Sequence, residues 1–543
     1  MSDSQNISAP GPKARTASAA PHFDSSLPLT TAAFIAGAIL YGLTCAPGLL
    51  WQDSAMFQHR VWFADHLGDS GLPLAHPLYI WLAKTFTLLI PFGDFAWRVN
   101  LFSAFVGAAS LAVMMHLLIN LTRSITVGVI GTIALAVSHT FWTHSVIAEV
   151  YNLYALGLLL ELWFVQRFLV TNRACWLYSA IFVNGLSVSN HLLALLHAPA
   201  YVVLIVSALR SRELSPRQLV PAVVAFVIGS LPYTLLIMDD LATGRGALLV
   251  LKESLVGPPD RSQRVLATTF SLARQIVRSV QYFVMNFPTP LLALAPIGFW
   301  NLWRRAGNRR FGVFATLIFV VDFVFAFRYL VPDQFVFFTP CYVITALAIA
   351  SGSIALARGE RLNRDDRAEV TAYSDVTFKP AIRFMLTAFA LMPVAIYVLA
   401  PFALDRFKID IGAKRDIPYR DTLRYFIQPW KNGETSATRF AEAAFAIAQP
   451  DGLIYADTTI KNVLVYYRDI VGRYPGVTLT TGHDTIPLPP VIDRTPEAVE
   501  PFVLAGKAFV CSDLPDYVPL WMRERFRLIP SGILFRIVPR EQP

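Results

Sequence analysis

Asp53 stands in Trp51-Gln52-Asp53-Ser54, immediately after an apolar run over residues 29 to 50 that is long enough to cross a bilayer. A carboxylate held just outside a membrane span can take the proton of an attacking hydroxyl as general base. Further ionisable residues recur beside later apolar runs. The first loop adds His59, Asp65, Asp69 and His76; the stretch from Ser138 to Tyr151 holds His139, His144, Glu149 and Tyr151; Asn190-His191 ends another run, and Arg328, Asp333 and Gln334 mark one more turn. Ionisable groups at membrane depth are costly, so they are paired or functional. Plainer roles exist for each. Trp142 and Tyr151 fit an interfacial aromatic belt, His139, His144 and His191 fit interhelical hydrogen bonding, and Asp333 with Arg328 fits an ion pair.

The elements that must position these groups are membrane helices. Hydrophobic residues make up 55% of the 543-residue chain and charged residues 15%, far from a soluble domain's balance. Eleven transmembrane helices are expected, at about 29–50, 98–120, 125–141, 150–170, 176–190, 192–209, 218–238, 281–302, 311–331, 335–357 and 383–404. Arginines gather in alternate loops, at Arg123, Arg167 and Arg173, Arg210 to Arg217, Arg304 to Arg310, and Arg358 to Arg367. The positive-inside rule then puts the N-terminus in the cytoplasm and the polar residues above on the outer face. Leu72 to Phe92 is apolar as well, but counting it would move every later basic loop outside, so it reads as an interfacial or re-entrant helix.

This division gives a disordered cytoplasmic tail over 1–28, a transmembrane domain over 29–405 with outer loops 51–97 and 239–280, and a periplasmic domain over 406–543. In that last part strands around Leu453–Tyr455, Val477–Leu479, Ala508–Cys511 and Ile533–Ile537 alternate with helical stretches, predicting a small α/β domain. Asp457 falls at a strand's carboxyl end, a position that suits a turn or helix cap. The loop over 239–280 carries Arg245, Lys252, Arg261, Arg264, Arg274 and Arg278. It reads either as an amphipathic helix on anionic headgroups or as a phosphate clamp, with Arg261, Arg264 and Arg274 as the candidate clamp residues.

The net charge of +9 is mostly loop arginine, which reads as membrane topology and not nucleic-acid binding. Four isolated cysteines, Cys45, Cys175, Cys341 and Cys511, form neither a disulfide framework nor a CxxC site. Gly-rich phosphate loops, HExxH and serine-hydrolase signatures are absent.

Several segments together carry a resemblance: Asp53-Ser54-Ala55-Met56-Phe57, Ala75-His76-Pro77-Leu78-Tyr79, Arg98-Val99-Asn100-Leu101, Phe141-Trp142, Ile147-Ala148-Glu149-Val150-Tyr151, Gly185 to His191, and Asp333-Gln334-Phe335-Val336-Phe337-Phe338. In order and spacing they resemble, from about 35 to 357, a bacterial membrane family related to the animal protein O-mannosyltransferases, within the GT-C glycosyltransferases. The resemblance implies an α-helical polytopic membrane protein of GT-C type and a polyprenyl-phosphate-linked sugar donor. It also implies transfer on the outer face to a protein or glycan acceptor, with Asp53 matching the catalytic carboxylate. The chain departs from the family at Met56, where Glu is common, and in a His-Pro-Pro-Gly stretch reduced here to His76-Pro77. A bacterial inner membrane is the compartment it implies.

Independently of that likeness, sugar transfer from a lipid phosphate needs cations for the departing phosphate and a base for the acceptor hydroxyl. Direct displacement inverts the anomeric centre. His76, Glu149, Tyr151, His191 and Asp333 then hold the sugar or orient Asp53, and a divalent cation remains possible. A transporter or flippase, which would use the same intramembrane acids and histidines as a path, and a non-catalytic polyprenyl-lipid scaffold are the alternatives.

Overall fold

The computed structural model describes residues 27–68, 71–257, 271–304, 308–357, 378–409, 415–474, 476–481 and 496–540. Among them eight helices are long and apolar enough to cross a membrane, and a ninth candidate comes from a bent pair. The helix Phe95–Thr122 starts where Asp94 accepts a hydrogen bond from the Trp97 amide at 3.1 Å and stops at Arg123 in the left-handed region. At 28 residues it is about 42 Å long, more than the hydrocarbon core requires.

All eleven expected spans fall on helices, but only eight of these are long and apolar enough to cross by themselves, and three differ from simple crossings. Ile125–Ala136 and Ala174–Asn190 are shorter than the eight long spans. The segment expected at 281–302 is two helices, Leu272–Asn286 and Pro290–Arg304, meeting at 114°. Pro288 and Pro290 explain the break, because proline lacks the amide proton and disfavours helical geometry in the residue before it. The disputed stretch after Leu72 forms the helix Pro77–Leu89, about 20 Å long and too short to cross. It buries Tyr79, Ile80, Ala83 and Thr87 and exposes Trp81, Leu82, Leu88 and Leu89.

The span Gln334–Leu356 runs through the middle of the bundle, buried almost throughout. Two helices, Ala174–Asn190 and Leu219–Ala242, cross at Gly185 and Gly229. A Cβ on Gly229 would stand 2.3 Å from the Phe182 carbonyl oxygen, and one on Gly185 would stand 2.5 Å from that of Phe226. Only glycine lets two backbones approach this closely inside a membrane.

The C-terminal region carries five strands: β1 Leu453–Tyr455, β2 Thr478–Thr480, β3 Ala508–Val510, β4 Phe526–Ser531 and β5 Leu534–Pro539. Their order is β2-β1-β3-β5-β4; β1 is parallel to β2 and β3, and β5 is antiparallel to β3 and β4. The hairpin from β4 to β5 turns at Gly532 with φ 65. Asp457 does cap the turn after β1, accepting from the Thr459 amide at 2.9 Å, and it also pairs with Arg415 at 2.9 Å.

The C-terminal region is not a separate appendage. One hydrophobic cluster contains Trp51, Ala55, Phe57, Tyr79 and Tyr151 together with Phe440, Phe445, Val463 and Leu464. The stretch over 51–97 and the C-terminal helices thus share a core.

Candidate functional site

Asp53 opens the helix Asp53–Phe63 and is exposed. An acid in the first turn suits the positive end of the helix dipole. The preceding Gln52 has φ 56, an unfavourable conformation for a residue with a side chain. The C-terminal region braces this turn from three directions. Asn462 Nδ2 donates to the Gln52 carbonyl at 3.1 Å, Trp51 Nε1 donates to Ser436 Oγ at 2.8 Å, and His59 meets Asp469 at 3.0 Å. Met56 packs half-buried against the shared cluster. An apolar residue there suits the docked surface, whereas a glutamate would need a partner.

Glu149 and Asp333, both half-buried, come from different turns. Glu149 precedes the span Tyr151–Thr171, and Asp333 precedes the 3-10 turn Gln334–Phe338. Burial first, then the charges of Asp53 and Asp333, push the Glu149 carboxyl well above its ordinary range. Burial likewise raises Asp333. Asp53, Glu149 and Asp333 all act electrostatically on Tyr151. Three of the sequence-derived acids thus act electrostatically on one tyrosine.

Aromatic rings form the rest of the site. Tyr151 stacks on His144 at 5.2 Å and lies 5.3 Å from His191 and 5.9 Å from Phe337. The His76 and His191 rings stand 5.2 Å apart. His76 Nδ1 meets the Asn190 carbonyl at 2.5 Å, so that nitrogen carries the proton and Nε2 is left as the acceptor. His191 Nδ1 instead accepts from the Leu193 amide at 3.2 Å, which puts its proton on Nε2. Burial, helped by the neighbouring His191, holds His76 well below its usual value; burial lowers His191 to about 4. Burial, reinforced by His139 and Lys431, lowers His144 to about 3. Neutral rings that combine donors, acceptors and flat faces suit a sugar's hydroxyls and C–H surfaces.

Arg60, not singled out from the sequence, fixes the His76 turn. Its guanidinium donates to the carbonyls of Asp65 at 3.1 Å, Leu74 at 3.1 Å and Ala75 at 2.5 Å. His76 itself has φ 49, so these bonds hold an unfavourable backbone in place.

Of the three clamp arginines, Arg261 and Arg264 lie outside the described residues. Arg274 is exposed on the helix Leu272–Asn286. One turn further on, Arg278 and Asp333 both act electrostatically on Tyr282, which places Arg278 nearer the acids' surroundings on this helix. Among the described residues no three His, Cys, Asp or Glu side chains converge to hold a metal ion, and no step is derived through one.

A second polar cluster lies inside the bundle. Glu161 Oε2 accepts from Tyr201 at 3.0 Å and Asn184 at 3.1 Å and meets His197 Nδ1 at 3.0 Å, while His197 Nε2 faces Asp322 at 3.7 Å. All of these charged groups are fully buried. They tie four helices together.

The fold is that of a multi-pass helical membrane protein, and it resembles solved membrane structures. The crystal structure of ArnT from Cupriavidus metallidurans bound to undecaprenyl phosphate matches with a TM-score of 0.53 at 15% identity, covering 94% of this chain and 97% of that one. The apo state of the same protein matches with a TM-score of 0.51 at 15% identity, covering 94% and 98%. Residues 72–215 match the family model described as the Protein O-mannosyl-transferase TMEM260 N-terminal domain. Protein O-mannosyl-transferase TMEM260 of Mus musculus is 29% identical over 225 residues, which is 40% of this chain and 31% of that protein. The match thus spans under a third of the curated relative's length.

Proposed function

We propose that the chain is a glycosyltransferase that moves a sugar, mannose or a similar hexose, from a polyprenyl-phosphate-linked donor to an acceptor hydroxyl on a protein or glycan. The reaction takes place on the periplasmic face of a bacterial inner membrane, with the N-terminus in the cytoplasm and the C-terminal region outside. The observation that carries this reading is the electrostatic coupling of Asp53, Glu149 and Asp333 to Tyr151, whose ring packs on His144 and His191, in a helical membrane bundle.

In the proposed step the acceptor oxygen attacks the anomeric carbon and its proton passes to Asp53. The bond from that carbon to the phosphate oxygen breaks, the electron pair leaves with the polyprenyl phosphate, and the configuration inverts. Asp53 is the exposed acid of the three, which suits a base that must meet an incoming acceptor. Glu149, whose carboxyl is pushed above its ordinary range by burial and by Asp53 and Asp333, suits a hydrogen-bond donor to the sugar better than a second base. Tyr151, His76, His191 and Asp333 line the sugar. Arg274, Arg261 and Arg264 keep their role as headgroup-level phosphate ligands, with Arg278 added to them.

One observation favours a transporter or flippase instead: the buried Glu161, His197 and Asp322 are groups such a protein would use as a path. The discriminating experiment reconstitutes the full chain in lipid with radiolabelled polyprenyl-phosphate sugars and a membrane extract as acceptor. Transfer that falls about 10²- to 10⁴-fold in Asp53→Asn supports the enzyme. Transfer retained in a correctly inserted Asp53→Asn protein overturns the base assignment, and movement of label across the bilayer without transfer selects the flippase.

A further inference from the structure

Arg420 lies in the C-terminal region just before the helix Thr422–Ile427. Its guanidinium carbon is 5.0 Å from the Tyr425 ring, 5.5 Å from Phe426 and 5.5 Å from Trp51. Neighbouring arginines are committed to carboxylates: Arg415 to Asp457 at 2.9 Å and Arg424 to Asp421 at 2.9 Å. Arg420 makes no ion pair among the described residues, and its buried Nε and Nη1 find no hydrogen-bond partner there. Leaving buried donors of a charged group unsatisfied is costly. The residue as a whole is half-buried, and Nη2 is not among its unpartnered buried atoms, so a ligand can approach the guanidinium from that side.

Its position gives that ligand a chemistry. Trp51 is two residues from Asp53, and Tyr425 is within electrostatic reach of both Arg420 and Glu149. The cation therefore stands beside the turn that carries Asp53, within reach of a ring that Glu149 also acts on. A guanidinium packed among aromatic rings offers N–H donors to a tetrahedral oxyanion and is more weakly hydrated than an ammonium.

We propose that Arg420 binds a phosphate oxyanion where the C-terminal region meets the Asp53 turn, and that in turnover this is the phosphate of the lipid-linked donor and of the polyprenyl phosphate it leaves behind. The second part rests on the donor reading above. Negative charge accumulating on the departing phosphate is then stabilised by a group fixed before the reaction begins.

The test measures binding of polyprenyl phosphate, neutral polyprenol and inorganic phosphate to the reconstituted full chain, alongside the thermal unfolding temperature. Arg420→Gln weakens polyprenyl phosphate binding about tenfold or more and leaves polyprenol binding and the unfolding temperature unchanged. Arg420→Lys, which keeps the charge but not the planar donor set, falls between. Equal affinity of wild type and Arg420→Gln for polyprenyl phosphate overturns the proposal. Equal loss of polyprenol binding also overturns it, because it assigns Arg420 to shape alone. Arg420-dependent binding of inorganic phosphate without binding of polyprenyl phosphate keeps the oxyanion site and removes the lipid donor.

Discussion

The indole Nε1 of Trp51 donates to Ser436 Oγ at 2.8 Å, a bond across 385 residues of sequence that joins the approach to Asp53 to the first turn of the helix Ser436–Ala448. Ser436 also bonds Glu434 through its amide at 2.9 Å and through its hydroxyl. Ser436→Ala leaves a buried indole donor unpaired and is expected to cost about 1–3 kcal/mol. Limited proteolysis should then cut the 415–434 segment faster and transfer should fall, while the membrane bundle itself stays intact.

Glu149 has its carboxyl raised by burial, then by Asp53 and Asp333. An acid whose pKa is higher folded than unfolded gives its full stabilisation below the unfolded value and loses it as pH rises through the folded one. Glu149→Gln, which mimics the protonated acid, should retain transfer at neutral pH and lose less stability than wild type as pH climbs. Unfolding temperatures of both proteins across about pH 5 to 9 check this; parallel curves would refute it. Glu149→Ala, which removes the donor as well, should lose transfer.

Lys431 is buried with Nζ donating to the carbonyls of Tyr425 at 2.9 Å and Gln428 at 2.5 Å, near the end of the helix Thr422–Ile427. Burial lowers its pKa from the usual 10.5 to about 7. Between those two values the unfolded chain binds a proton that the folded chain has released, so this residue's contribution to stability grows as pH rises across the window. Lys431→Met should remove that slope while lowering stability throughout, and pH-resolved denaturation of the two proteins measures the difference.

Gly229→Ala should damage the bundle, because the added methyl meets the Phe182 carbonyl oxygen at 2.3 Å. Overpacking of this kind costs about 1–3 kcal/mol. Gly42→Ala is the matched control. Nothing lies within 4 Å of a Cβ there, and alanine in a helix gains about 0.5–1 kcal/mol over glycine. Unfolding of both variants in detergent should move in opposite directions.

What the sequence made legible follows from period and charge. Long apolar runs bounded by arginines are readable because a bilayer fixes both span length and loop charge, so all eleven helical segments could be placed. The bend at Pro288 and Pro290 was also written in the residues but fell within an otherwise continuous apolar run. The strand β4 escaped notice because Phe-Arg-Leu-Ile-Pro-Ser carries a proline and no clean alternation; it is an edge strand, where proline is tolerated. In the site, Asp53, Glu149 and Asp333 could be grouped because topology puts their turns on one face. Arg60 and Arg420 could not. The first matters through carbonyls it holds, the second through partners it lacks, and both are properties of the folded neighbourhood alone.

The bonds from Asn462 to Gln52, Ser436 to Trp51 and Asp469 to His59 set an order of assembly. A nascent chain emerging from the ribosome presents residues 51–60 to the membrane long before residues 436–469 exist. The Asp53 turn therefore acquires its final shape only after the last quarter of the chain has been made and has folded against it. Maturation of the site is a late event, timed by synthesis of the C-terminal region.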